Sequence, residues 1–394
     1  MQKKTVEDLD VAGKRVFLRV DFNVPMDKTG TITDDTRIRA CLPTIKYLLE
    51  HGARVIICSH LGRPEGEVEE SLRMGPVAER LSELLGKEVK ALRESVGPDV
   101  EAAVAGMKKG DIVMLENIRF HPEEEANDPG FARALSQLAD VFVNDAFGAS
   151  HRAHASVVGI ARYLPAVSGF LMKKEIETLS GALENPGRPF TAMVGGAKVS
   201  GKLPLLENII TRVDTLLIGG GMAATFLKSR GYGVGASTVE YDRVEYVNKL
   251  QQKAASLGVN LLLPRDLVIA HKLEAGSDIQ VVPVTKVPEG WVIADIGPKT
   301  IEEFSRELER SKTIVWNGPL GVFEIPEFAS GTRRIIELLA SLQAVTIIGG
   351  GSTAEAVTEM GLAKRMYHIS TGGGASLEFL AGKVLPGLVV LQDK

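Results

Sequence analysis

Val345–Ser352 reads VTIIGGGS: four β-branched residues in a row, three contiguous glycines, then a small polar residue. The run has no period-two alternation, so it suits a short strand buried on both faces, with glycines easing the passage out of its end. The same signature recurs along the chain. Leu216–Ile218 precedes GGGM, His368–Ser370 precedes TGGGA, Phe190–Val194 precedes GGAK and Ile314–Trp316 precedes NGPLG. In the first half Val16–Val20 leads into DFN, Val55–Cys58 into SHLGR, Ile112–Leu115 into ENIRF and Val141–Val143 into NDAFG, while Leu261–Leu263 leads into PRD. Helical patterns such as Pro43–His51, Pro76–Leu85 and Thr332–Leu342 lie between them. This β, loop, α order predicts an α/β fold of open, mostly parallel, doubly wound sheets with helices on both faces.

About ten strands are too many for one comfortable sheet of this kind, so two domains are expected. The boundary falls near Leu164–Glu184, where LMKKEIETLSGALEN reads as one long helix joining the two. The domains are then 1–170 and 171–384. The glycine triplets Gly219–Gly221, Gly349–Gly351 and Gly372–Gly374 recur at uneven spacing, which excludes a solenoid repeat.

The composition agrees with a globular pair of domains. Of 394 residues, 44% are hydrophobic and 24% charged, which excludes general disorder. Residues 1–170 carry 22 basic and 26 acidic side chains, and the remainder 24 of each. Neither half is a basic nucleic-acid platform, so a cationic site has to be local. Cys41 and Cys58 are the only cysteines, too few for a disulfide framework or a Cys-rich zinc site. MQKKTVEDLD has no apolar core, and no run approaches the ~20 apolar residues of a membrane span. The expectation is a cytoplasmic protein with no membrane partner.

In open α/β sheets, ligands bind beyond the carboxyl ends of the strands. In the first half those ends collect Asp21 and Asn23, His60 and Arg63, Arg119, then Asp145, His151, Arg152 and His154, with Arg37 on the loop after the first strand. A single arginine is most simply paired with a surface acid. Four at strand ends fit a small substrate with several negative charges, because the guanidinium fork matches phosphate and carboxylate. The second half instead offers glycines at its strand ends, where backbone amides and helix N-termini cradle phosphate. Gly196–Lys202 matches G-x-x-x-x-G-K, but Leu203 follows where a P-loop needs Ser or Thr. Lys198 and Lys202 stand i, i+4, and a helix beginning after Gly196 would aim both at one set of phosphates. The seven histidines show no zinc spacing, and neither a G-x-S-x-G elbow nor a G-x-G-x-x-G fingerprint occurs.

At this density of motifs the chain resembles the phosphoglycerate kinase family over essentially its whole length. The strings that carry the resemblance are RVFLRVDFNVP (15–25), SHLGRP (59–64), LENIRFHPEEE (115–125), NDAFGASHRAH (144–154), GGAKVSGK (195–202), LLPRD (262–266), IVWNGPLGVFE (314–324) and STGGGASLE (370–378). The resemblance implies two domains facing across a cleft, with 385–394 packing back onto the first. It implies 3-phosphoglycerate on the N-terminal domain, held by Asp21, Phe22, Asn23, Arg37, His60, Leu61, Gly62, Arg63, Arg119 and Arg152. It implies ADP or ATP with magnesium on the C-terminal domain, held by Gly196, Ala197, Lys202, Gly220, Gly297, Asn317, Pro319, Glu324, Gly350, Gly351, Ser352 and Thr353. Arg37, Lys198, Lys202 and Gly373 would meet the transferring phosphoryl group. The implied reaction converts 1,3-bisphosphoglycerate and MgADP to 3-phosphoglycerate and MgATP, in a monomer whose domains close over both ligands.

Two positions depart from the family pattern. Gly201 stands where the family carries an acid, and Ser352 replaces the aspartate that is the family's protein contact to magnesium. The metal ligands are therefore unassigned, with Glu324 and Asp295 as candidate substitutes. Rival readings are a P-loop ATPase, an NAD dehydrogenase, and a non-catalytic sugar-phosphate- or nucleotide-binding protein. The first two lack their fingerprints, and the third has no use for Lys198 and Lys202.

Overall fold

The computed structural model describes residues 2–394. One compact unit runs to Glu177 and takes back Val384–Lys394; the other is Thr178–Lys383. The division falls inside the helix Phe170–Glu184. Asp145 fixes the start of this helix, its Oδ1 accepting the Met172 N–H at 3.0 Å. A side chain at Gly169 would run into the Asp145 carboxyl, so the turn before the helix needs glycine.

The first unit holds six parallel strands: β1 (Arg15–Arg19), β2 (Arg54–Cys58), β3 (Lys90–Ala91), β4 (Ile112–Met114), β5 (Val141–Asn144) and β6 (Ala166–Ser168). Their order is β3-β4-β2-β1-β5-β6. Phe17, Leu18, Ile56, Ile57, Phe142 and Val143 are fully buried, as the unalternating apolar runs require. The chain leaves β1 toward β2 and leaves β5 toward β6, so the sheet's winding reverses between β1 and β5. The returning C-terminal segment docks by the Gly387 N–H on the Ser150 carbonyl at 2.9 Å and by Lys3 on Asp393 at 2.8 Å.

The second unit repeats the plan with β7 (Phe190–Val194), β8 (Thr215–Ile218), β9 (Asn260–Leu262), β13 (Thr313–Asn317), β14 (Val345–Gly349) and β15 (His368–Ile369). The order β15-β14-β13-β7-β8-β9 places its winding reversal between β13 and β7. The strand ends there are stitched together, the Gly195 N–H donating to the Asn317 carbonyl and the Gly196 N–H to the Pro319 carbonyl, at 3.0 and 2.9 Å.

Three expectations need correction. The second unit also carries an antiparallel sheet, β11 (Ile279–Pro283), β10 (Asp266–Ala270) and β12 (Val292–Ile296) in that order. Beside Gly196, no α-helix begins until Leu203. Pro204 explains this: it has no N–H to donate to Ser200, so it tolerates only the first turn of a helix. Lys198 and Lys202 thus lie on a loop and a single 3-10 turn (Ser200–Lys202), not on one helical face. Finally, Arg37 sits in the first turn of the helix Thr36–Glu50, not on the preceding loop.

Asp295, on β12, is held between backbone amides, accepting the Gly331 N–H at 2.6 Å and the Ile296 N–H at 2.8 Å. Burial pushes its carboxyl up to about 7 despite those two bonds. Such a group keeps its proton in the folded unit at a pH where the unfolded chain has already released it. It therefore lowers stability progressively as pH rises from about 4 to about 7. Asp295→Asn is expected to flatten that part of the stability–pH curve. Both tryptophans, Trp291 and Trp316, lie in this unit, so urea unfolding followed by their fluorescence reads it directly. An unchanged slope would exclude Asp295 as the titrating group.

Candidate active site

At the reversal of the first sheet, short loops deliver the polar groups. Asp21 follows β1 and is buried; its Oδ2 pairs with Arg37 at 2.6 Å and its Oδ1 lies 3.9 Å from His60 Nδ1. The Asn23 carbonyl oxygen accepts the Gly62 N–H at 2.8 Å, tying the β1 loop to the β2 loop. Arg119 donates to the Gly62 carbonyl at 2.9 Å and faces Glu125 at 3.3 Å. Arg152 lies near enough to Arg119 to depress its pKa; together with burial and Arg19, it brings the Arg119 guanidinium down to about 10. His60 is neutral, because burial and the charges of Arg19, Arg119 and Arg37 hold it well below the ordinary imidazole range. Arg63 is exposed beside Gly62. The Phe22 and Leu61 side chains belong to the core, so only their main chain faces this end of the sheet.

Two residues central to this geometry carried no sequence-level signal. Arg19, the last residue of β1, is 1% exposed, and its guanidinium reaches His60 Nδ1 at 3.5 Å. Asn117 is fully buried and works as a clasp. Its amide nitrogen donates to the Leu61 and Leu72 carbonyls at 2.7 and 2.9 Å, and its oxygen accepts the Leu61 and Arg119 N–H groups at 3.3 and 3.2 Å. A buried asparagine inside ENIRF, just past a strand end, was the available clue.

The second site surrounds the reversal between β13 and β7. A cavity of about 400 Å³ is lined by Gly196, Ala197, Lys198, Gly220, Pro319, Glu324 and Ser352 among others, and the antiparallel sheet closes one wall with Val292, Ile293 and Ala294. Gly220 has φ +68°, and a Cβ there would stand 2.5 Å from the Gly196 nitrogen. Beside the cavity, Lys202 donates to the Asn317 side-chain oxygen, and burial lowers its pKa. The Asn317 amide nitrogen has no partner and is buried against Gly350, whose φ of +90° opens the helix Gly351–Glu359. The first amides of that helix, at Gly351, Ser352 and Thr353, have no intrahelical partners and suit an anion. The Thr353 hydroxyl is already taken by the Gly318 N–H at 2.8 Å. Gly297 and Gly373 lie outside the cavity lining and open the helices Pro298–Arg310 and Gly374–Leu380. Among the described residues, no group of three or more His, Cys, Asp or Glu could hold a metal ion. Asp295 is no substitute ligand, since backbone amides occupy it.

Comparison with known proteins gives the site its context. The phosphoglycerate kinase family profile matches residues 6–383. The chain belongs to the phosphoglycerate kinase family. It is 58% identical to a phosphoglycerate kinase of Moorella thermoacetica and 56% identical to one of Chloroflexus aggregans, each covering the whole of both chains. Its fold is similar to the solved phosphoglycerate kinases of Coxiella burnetii, at TM-score 0.88 and 41% identity, and Pyrococcus horikoshii, at 0.87 and 36%. Each of these covers 98% of both chains. The fold is therefore two parallel-sheet α/β domains. The chain is a phosphotransferase that moves a phosphoryl group between 1,3-bisphosphoglycerate and ADP, and a purely binding role is not favoured.

Asn117→Ala is expected to destabilise the first unit by about 2–4 kcal/mol, because it orphans two buried carbonyls and two amides. The same change frees the Gly62 loop and should raise the KM for phosphoglycerate above that for ADP. Calorimetry with parallel kinetics checks this; a wild-type melting temperature would refute the clasp.

Proposed function

We propose that the arginine-rich end of the first sheet holds the phosphoglycerate and the glycine-lined cavity of the second holds the nucleotide. The observation that carries this is the pairing of two anion sites of different chemistry, each at the winding reversal of its own sheet. His60, Arg63, Arg119 and Arg152 grip the remote phosphate, while Asp21 and Asn23 orient the hydroxyl and carboxylate region. Gly196, Ala197, Gly220, Asn317, Pro319, Glu324 and Gly350–Thr353 surround the nucleotide, with Gly297 at the edge of that set. Arg37, Lys198, Lys202 and the amides about Gly373 meet the group in transit.

No general base is needed. In the direction that consumes ATP the nucleophile is a carboxylate with a pKa of roughly 3–4, already ionised at pH 7. Catalysis then rests on alignment and on neutralising charge in a loose transition state. Lys202, released from Asn317, is suited to follow the phosphoryl oxygens, and the helix amides at Gly351 add fixed dipoles. Because the two ligands belong to different units, turnover brings those units together, with the helix Phe170–Glu184 taking up the bend. The chain is read as a cytoplasmic monomer, since one chain builds both half-sites. No helix among the described residues is long and apolar enough to cross a membrane.

Magnesium is read as part of the nucleotide substrate, where it shields the phosphate charges. The residues present fit a weakly tethered ion. Ser352 offers only a neutral hydroxyl in the first turn of its helix, and exposed Glu324 is the one carboxylate lining the cavity.

The direct test is a coupled assay for ATP formation from 1,3-bisphosphoglycerate and MgADP; no turnover would refute the reading. Within it, Lys198→Ala should lower kcat by about 100-fold or more while ADP affinity changes by less than about ten-fold. Comparable losses in both would assign Lys198 to ground-state binding. Ser352→Asp is expected to lower the free magnesium needed for half-maximal rate and to tighten MgADP binding. An unmoved or increased magnesium requirement would show that this position does not limit metal retention.

A further inference from the structure

Behind the arginine-rich site lies a carboxylate the reaction does not use. Glu124, in the short helix Pro122–Glu125, has no exposed surface, although its neighbours Glu123 and Glu125 are exposed. Both its oxygens are directed at one residue. Oε2 accepts the Ser156 N–H at 2.8 Å, and Oε1 accepts the Ser156 hydroxyl proton at 2.6 Å. A serine hydroxyl has one proton, so once it is given to Glu124 the Ser156 oxygen can only accept on its other side. There it receives Arg19 Nε at 2.8 Å. Arg19 in turn donates through Nη1 to the Val20 carbonyl, directly before Asp21, and its Nη2 sits 3.5 Å from His60 Nδ1. A continuous chain thus runs from Glu124 through Ser156 and Arg19 to His60, within the first unit.

Electrostatics explains why an acid ends this chain. His154 places Nδ1 3.7 Å from Glu124, but burial and the charges of Arg119, Arg19 and Arg152 bring its pKa down to about 3, so it is neutral. The positive charge facing Glu124 is therefore that of Arg19, which pulls the Glu124 carboxyl toward ionisation against its burial. A fully buried arginine among Arg37, Arg119 and Arg152 is repelled by each of them and is unstable without a fixed counter-charge. An acid on the ligand side would compete with an anionic substrate; Glu124 supplies the charge from behind.

We propose that Glu124 is a positioning residue for the phosphoglycerate site, setting the Ser156 hydroxyl as an acceptor so that Arg19 holds His60 and the β1 loop in place. The proposal rests on the assignment of phosphoglycerate to this site. Glu124→Gln presents an amide N–H to one of the two Ser156 donors and removes the charge. Ser156→Ala removes the relay and leaves the charge.

Each variant should raise the KM for 3-phosphoglycerate roughly ten-fold or more, the scale of a lost hydrogen bond to a charged group. The KM for MgATP and kcat should stay within about two-fold. The double variant should be no worse than Glu124→Gln alone, as members of one chain are not additive. A merely structural role would not single out one substrate. An unchanged KM for 3-phosphoglycerate, equal shifts for both substrates, or additive effects would overturn the proposal. If Glu124→Gln does not fold, Ser156→Ala alone decides by the same substrate-specific shift. Arg119→Ala serves as the control. If it leaves the KM for 3-phosphoglycerate unmoved, the assignment of the site has failed, and this proposal falls with it.

Discussion

Arg19, Arg37, Arg119 and Arg152 converge on one end of the first sheet, and their mutual repulsion has to be met there. The structure meets it with acids set away from the place a ligand would take: Asp21 on Arg37 at 2.6 Å, Glu125 beside Arg119 at 3.3 Å, and Glu124 behind Arg19. Enough repulsion remains to bring Arg119 down to about 10 and to keep His60 and His154 neutral. Such a site gains from a polyanion, which supplies the missing negative charge. Much of the first unit follows from this need, including the Asn117 clasp, the tie between Asn23 and Gly62, and the burial of Glu124.

The second unit meets anionic charge by other means. Its site relies on backbone dipoles, with glycines permitting close approach and the helix Gly351–Glu359 presenting free amides. Only two lysines add full charge there, and burial makes the charged form of Lys202 less favourable. This division matches the two ligands: a compact phosphoglycerate that must be gripped at both ends, and a nucleotide whose phosphates change partners during the reaction. Gly201 and Ser352 remove two acids from the second unit's set.

The sheets and both sites were legible because doubly buried strands leave unalternating apolar runs, and the residues after those runs sit at carboxyl strand ends. Where the reading failed, the local signal was weak or misleading. Strand β11 exposes Ile279 and Val281, so it lacks the mark of a buried strand, and β10 directly follows the PRD turn that had been taken as the end of a run. Lys198 and Lys202 had helical spacing, but Pro204 delays the helix. Arg19 sat inside the apolar run VFLRV and read as strand filler. Glu124 sat in an acid run that looks solvated, and only its burial between two exposed glutamates reveals its role. Tertiary burial, which one sequence does not display, separates these residues from their neighbours.

The central claim is that two chemically distinct half-sites, one on each unit, must both be filled for transfer. Hydrogen exchange with the ligands added separately and then together tests it most directly. 3-Phosphoglycerate alone should protect amides near Asn23, Gly62 and Arg119 while leaving the second unit unchanged. MgADP alone should protect Gly196–Lys202 and Gly350–Thr353 while leaving the first unit unchanged. Only the pair should slow exchange along the helix Phe170–Glu184. Protection of the arginine-rich end by MgADP alone, or an unaltered helix with both ligands bound, would contradict the account.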